Sequence, residues 1–286
     1  MNDALLRIIG EHEKKFGGRI GFYAENFTTG NTLAYKEGET FGTASVIKVP
    51  LLIAYFKKCQ EGVFDFSAVI AQKNKYLCDI PEEVGLMKKI PRETLIPIET
   101  IAMLMIFLSD NTAMNVFLTD FVPKDLFNRM MVDMGYASTR LAVEKLDSSV
   151  FFGSKGDIGY STPWELAKIL RDAMRYASIE QRYADILIEY MGMNHLSLRL
   201  TRGLPHRTRF GDAALIEKYG SKAGTYTRIK VINDLAFAVT AKGESIIISC
   251  MMNGLADENG VRPSAVDSMQ NKLFGIIGDM AFQSLA

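Results

Sequence analysis

The sequence predicts a mixed α/β (α+β) fold in which one antiparallel sheet, flanked by helices from both chain ends, carries an inserted helical lobe. Three observations lead there. The first 44 residues hold a helical pattern followed by a hairpin pattern, and helical spacing dominates from about 65 to 195. The last third then turns to short β-rich runs before a closing amphipathic helix. Sheet-forming sequence at both ends and helical sequence between them imply a discontinuous α/β domain, 1–44 with 196–286. An all-helical domain, 45–195, is inserted into it, and the active site is expected between the two. The chain of 286 residues is long enough for a large core, and no repeat or low-complexity linker divides it.

Residues 3 to 16 set Leu5, Leu6, Ile8, Ile9 and Phe16 among polar neighbours, a surface helix that Gly17-Gly18 ends. A strand around Ile20 to Glu25, a turn at Thr29-Gly30-Asn31 and a strand around Thr32 to Tyr35 read as a hairpin. A buried helix is expected from Ser45 through VIKVPLLIAYFKKC, with Pro50 in its first turns, where proline costs least. Further helices follow at 97–108, in DNTAMNVFLTDFV, and in PKDLFNRMMVDMG with its terminal Gly135. Thr162 and Pro163 cap and open another. The methionine stripe (Met103, Met105, Met114, Met130, Met131, Met134) reads as core filling. KYGSKAGTY, DLAFAVTA and ESIIISCMMN read as consecutive antiparallel strands broken by Asn233-Asp234 and Lys242-Gly243.

Lysine plus arginine equals aspartate plus glutamate, 33 each, so nothing draws the chain to nucleic acid or an anionic membrane. The longest apolar run, Ile101 to Leu108, is too short for a membrane span. The first 18 residues read as an amphipathic helix and not a secretory signal. That places the chain in the cytoplasm as given, or in the periplasm or outside the cell if a signal has been removed. Cys59, Cys78 and Cys250 have no C-x-x-C spacing and read as three reduced thiols; the isolated His12, His195 and His206 suggest no built-in metal site. No cofactor is expected.

Three short segments carry the chemistry. Ser45 and Lys48 stand one helical turn apart at the start of an apolar helix, on one face. A serine there is exposed at the positive end of the helix and suits a nucleophile, with Lys48 as its base. The plainer reading makes Ser45 a cap and Lys48 a solvated side chain, since S-x-x-K occurs about once by chance in a chain of this size. Ser109-Asp110-Asn111 breaks two buried helical stretches. It is either a capped turn or a proton relay (Ser109) beside a substrate-binding amide (Asn111), with Asp110 structural. In Lys222-Ala223-Gly224-Thr225, a glycine inside a strand signals close approach of a ligand or another backbone. Lys222 two residues earlier is then either an anion site or an edge-strand lysine.

Taken together the three segments resemble the penicillin-recognising serine hydrolases, most closely class A β-lactamases, whose recognised signature is S-x-x-K, S-D-N and K-T-G. GGRIG with TTGNTLAY, SDNTAMN, MGYASTRL, STPWELA, RGLP and Asn233-Asp234 also match that family in order, over nearly the whole chain. The resemblance implies the β-lactamase/transpeptidase-like fold and a mechanism. Ser45 attacks the lactam carbonyl, and the backbone N–H groups of Ser45 and Thr225 form the oxyanion hole. Lys48 is the base if burial and the field of Lys222 lower its pKa, and Ser109 relays a proton to the leaving nitrogen. Lys222, Gly224 and Thr225 bind the substrate carboxylate and Asn111 its amide.

The match frays where the family activates its deacylating water. The family loop R-L-x-x-x-E-P-x-L-N is here R-L-A-V-E-K-L-D-S-S, so Lys145 holds the glutamate position. Glu144, one residue early, is the preferred base, with Asp147 the alternative. Lys-Thr-Gly has become Lys-Ala-Gly, and the stretch after RGLP carries Arg207 and Arg209, either an extra anion contact or a solvated pair. The expected function is therefore a serine hydrolase that opens β-lactams through acyl-Ser45. The alternatives are an esterase or D-Ala carboxypeptidase-like hydrolase with weak β-lactamase activity, and a penicillin-binding module without turnover. Its partner is a small-molecule substrate: a β-lactam, an ester or a D-Ala peptide.

Overall fold

The structure, a computed structural model, describes residues 2–80, 85–152, 156–193, 199–205, 215–226, 229–255 and 269–286. Helix α1 (Asn2–Phe16) leads into the hairpin β1 (Arg19–Asn26) and β2 (Asn31–Tyr35), and a short β3 (Phe41–Gly42) follows. A 3-10 turn over Ala44–Ile47 feeds α2 (Lys48–Gln60), so Pro50 falls in the first helical turn as expected. The middle of the chain then runs β4 (Val69–Ala71), β5 (Leu95–Pro97), α3 (Ile98–Phe107), α4 (Asn111–Val116) and α5 (Lys124–Asp133). It continues through β6 (Arg140–Leu141), α6 (Ser148–Phe152), β7 (Gly159–Ser161), α7 (Pro163–Met174) and α8 (Gln181–Gly192). Strands β8 (Ile216–Tyr226), β9 (Val231–Thr240) and β10 (Ser245–Asn253) return to the sheet, and α9 (Met269–Leu285) closes the chain.

The main sheet has the order β2-β1-β10-β9-β8, antiparallel throughout, so strands from the two ends of the chain lie side by side. Its strands alternate between two apolar cores. Ile20, Phe22 and Ala24 of β1 and Ile246, Ile248, Cys250 and Met252 of β10 face α1 and α9. Tyr23, Leu235, Phe237, Ile247 and Met251 face the larger core built by the helical part. A sheet covered on both faces needs apolar residues at nearly every position, which is why ESIIISCMMN lacks a polar face. Cys59, Cys78 and Cys250 are free thiols, all buried.

Two expectations need correcting. The middle of the chain is not all-helical: β4 pairs with β5, and β6 and β7 form a small sheet with β3. Asn233-Asp234 does not break a strand but lies within β9, fully paired to β8 and β10. Both side chains are buried because each satisfies backbone outside the sheet: Asn233 donates to Gly42 O and Thr43 O, and Asp234 accepts from Leu200 N. The helix signals hold. Thr162 accepts from Glu165 N at the start of α7, with Pro163 first in the helix, and Gly17 and Gly135 take positive φ after α1 and α5.

Helix α9 is fixed by backbone contact. A 3-10 turn, Leu200–Gly203, lies directly on it, and a Cβ on Gly278 would stand 2.0 Å from Leu200 O. A Cβ on Gly203 would stand 1.8 Å from Gly275 O. Neither neighbour is a flexible side chain, so a methyl group can only push the helix off the turn. Gly278→Ala, otherwise a helix-favouring change, is therefore expected to lower the thermal midpoint by roughly 5 °C or more, read by circular dichroism. An unchanged or higher midpoint would show that the turn yields without cost.

Candidate active site

The site is assembled from three distant stretches of chain. Ser45 is half-buried in the 3-10 turn that precedes α2. Ala44 just before it has φ +44°, a left-handed conformation that a side chain adopts only when its surroundings enforce it. Lys48 opens α2 and is fully buried. Its Nζ donates to Ser109 O at 2.6 Å, Asn111 Oδ1 at 2.7 Å and Ser109 Oγ at 3.2 Å. These partners replace the water that the ammonium loses on burial.

The Ser109-Asp110-Asn111 break is a connector with a left-handed residue at its head. Ser109 has φ +58°, and Asp110 caps α4 by accepting from Ala113 N at 2.9 Å while also accepting from Met87 N. The capping reading of this segment therefore falls to Asp110, which frees Ser109 to face the lysines. From the sheet, Lys222 Nζ donates to the same Ser109 Oγ at 3.0 Å and to Ala223 O at 2.8 Å. Lys222 is 1% exposed, and its pKa lies well below the ordinary lysine value because of burial first and the charge of Lys48 second. Two lysines on one oxygen disfavour each other's charge.

Gly224 shows why the strand carries a glycine. A Cβ there would lie 2.8 Å from Thr43 O and 3.0 Å from both Ser45 N and Val46 N. Strand β8 thus rests on the backbone of the serine turn, the close approach that a glycine inside a strand signals. Thr225 follows, its Oγ1 accepting from Arg199 Nη2 at 2.6 Å. Because β8 is the sheet's edge strand, only one of its sides is paired within the sheet.

Arg199 is a residue that sequence reading passed over. It is 6% exposed, and its guanidinium also reaches Gly224 O at 2.9 Å, Asn233 O at 2.6 Å and Asn271 Oδ1 at 3.1 Å. Burial brings its pKa down to about 10 despite the opposing charge of Asp234. The only available signal was an arginine inside the apolar run LSLRL, where a cation must find buried partners. Asn233 and Asp234 were misread as a break for the same reason.

Neither candidate carboxylate of the loop after Arg140 is hydrogen-bonded or ion-paired to this cluster. The Glu144 side chain is 67% exposed and pairs with Lys124 Nζ at 2.5 Å. Asp147 accepts from the N–H groups of Ser149 and Val150 and from Ser149 Oγ, which caps α6. Asn115 fixes the loop between them, donating to Leu146 O and accepting from Leu146 N, both at 2.8 Å. The preference for Glu144 as a base beside Ser45 is therefore not supported by its position. Arg207, Arg209, His195 and His206 lie outside the described residues.

Comparison with known proteins places the chain in a family. The model of the β-lactamase enzyme family matches residues 3–285. The β-lactamase of Bacillus subtilis (strain 168) is 26% identical over 243 residues, spanning 84% of this chain and 74% of the relative. Among solved structures, an ancestral class A β-lactamase superposes with a TM-score of 0.81 at 20% identity, covering 98% of this chain and 100% of the other. A variant of PBP-A, captured as its acyl-enzyme complex with penicillin G, superposes with a TM-score of 0.79 at 20% identity, covering 99% and 96%. With the family model spanning nearly its whole length, the chain belongs to the β-lactamase enzyme family.

Proposed function

We propose that this protein opens the β-lactam ring by transferring the acyl group to Ser45, and that release of the acyl group is the slow half of its cycle. The observation that carries the first part is the convergence of Lys48 and Lys222 on Ser109 Oγ, with Gly224 seated against Ser45 N. Ser45 Oγ attacks the lactam carbonyl while its proton passes to Lys48, which enters the step as the neutral amine. The carbonyl oxygen becomes an oxyanion held by the N–H groups of Ser45 and Thr225. As the C–N bond breaks, Ser109 gives its proton to the lactam nitrogen and is reprotonated from Lys48. Both lysines donate to Ser109 Oγ, so its hydrogen is directed away from them, toward a bound substrate. Lys222 and the Arg199–Thr225 pair suit the substrate carboxylate, and Asn111 suits its side-chain amide. Water then cleaves the Ser45 ester to return the free hydroxyl.

The second part rests on Glu144 and Asp147, whose carboxylates are engaged at the surface and at a helix cap. Without a positioned base, water attacks the ester on the order of 10²–10⁴-fold more slowly. A chromogenic cephalosporin should give a burst of about one equivalent per chain followed by slow turnover; continued turnover at the burst rate would overturn slow release. Ser45→Ala should lose all covalent labelling by penicillin in intact-mass spectra, and a labelled variant would remove Ser45 as nucleophile. Glu144→Gln should release its acyl group at the parental rate, and a slower release would restore Glu144 as the base. Gly224→Ala drives a methyl group against the Ser45 amide, so acylation should fall on the order of 10²-fold in stopped-flow measurements; an unchanged rate would exclude these amides as the oxyanion hole.

A further inference from the structure

The turn carrying Ser45 is held from two sides. From the sheet, Asn233 Nδ2 donates to Gly42 O at 2.8 Å and Thr43 O at 2.9 Å. From the loop leading to β7, Asp157 Oδ1 accepts from Ala44 N at 2.8 Å, and Gly159 O accepts from Thr43 N at 3.0 Å. Asp157 is 2% exposed, and its Oδ2 is buried without a hydrogen-bond partner. Gly42 packs against that oxygen so closely that a Cβ there would lie 2.4 Å from it. Burying a carboxylate this deeply costs stability unless it is paired, and among the described residues Asp157 makes no ion pair. The groups facing it are backbone: Gly42 of β3, Thr43 and Ala44 of the turn, and Gly159 of β7. The nearby Arg140 guanidinium lies over the Tyr160 ring instead. Such a group is poorly explained by stability, yet it holds the one amide that fixes Ala44 at φ +44°, directly before the nucleophile.

We infer that Asp157 is a positioning residue for acylation: by fixing the Ala44 amide from behind, it holds the left-handed turn that aims the hydroxyl and N–H of Ser45. The inference rests on Ser45 being the acylated residue. Its contribution is geometric, through the accepting oxygen, and Asn233 supplies the opposing half of the clamp.

The test compares Asp157→Asn, whose amide oxygen still accepts from Ala44 N, with Asp157→Ser, whose hydroxyl is too short to reach. With a fluorescent penicillin as probe, Asp157→Ser should acylate on the order of 10–100-fold more slowly at unchanged half-saturation, and Asp157→Asn within about threefold of the parent. Deuterium exchange of the peptide containing Ala44 and Ser45 should quicken in Asp157→Ser but not in Asp157→Asn, whether or not the probe reacts. Burial also raises the Asp157 pKa to about 6, so its stabilising protonated form is complete below about pH 4 and is lost as pH rises through 6. Asp157→Asn should therefore gain in thermal midpoint over the parent between pH 4 and 7. Parental acylation and exchange in Asp157→Ser would overturn the inference. So would a rate loss above tenfold in Asp157→Asn at an undiminished midpoint, an outcome that decides the matter even if Asp157→Ser does not fold. A parent protein that takes no label would instead refute the nucleophile assignment, leaving the exchange comparison to judge the clamp.

Discussion

Two buried lysine side chains donating to one serine oxygen set the terms for the rest of this molecule. Each has left water and disfavours the other's charge, so each needs protein oxygens in place of the water it has lost. The chain supplies those oxygens from separate places: the Ser109 carbonyl and the Asn111 amide for Lys48, and the Ala223 carbonyl for Lys222. The helical part delivers the first set and the sheet the second. Their meeting sets two lysines against one oxygen, each disfavouring the other's charge.

The molecule divides its chemistry unevenly. Lys48 and Lys222 are enclosed and multiply bonded, whereas the loop from Arg140 onward spends its acids elsewhere. Glu144 faces solvent with Lys124, and Asp147 starts a helix. Asn115 still grips that loop through Leu146, so its backbone is anchored although its chemistry has changed. On the proposed function, the fold keeps one half of a catalytic cycle while altering the other, because the two halves depend on different segments.

Much of this was legible beforehand because period and punctuation are local. The helices, the hairpin, the Thr162–Pro163 start of α7 and the close backbone approach at Gly224 within β8 each follow from a few neighbouring residues. Ser45, Lys48, Ser109 and Lys222 were legible as motifs. What stayed hidden depends on contacts across the sequence. Arg199 looks like an ordinary cation until Gly224, Thr225, Asn233 and Asn271 surround it, and Asn233-Asp234 looks like a turn until its partners at Gly42, Thr43 and Leu200 are known. The placement of Glu144 turned on Lys124, twenty residues earlier on α5. A left-handed alanine gives no sequence sign at all.

Strand β1 lies between β2 and β10, so one of its edges waits for a strand more than two hundred residues later. A ribosome must therefore deliver the chain through β10 before this sheet can close, and Lys222 arrives only on β8. Until then β1 presents an open strand edge that invites chaperones or aggregation.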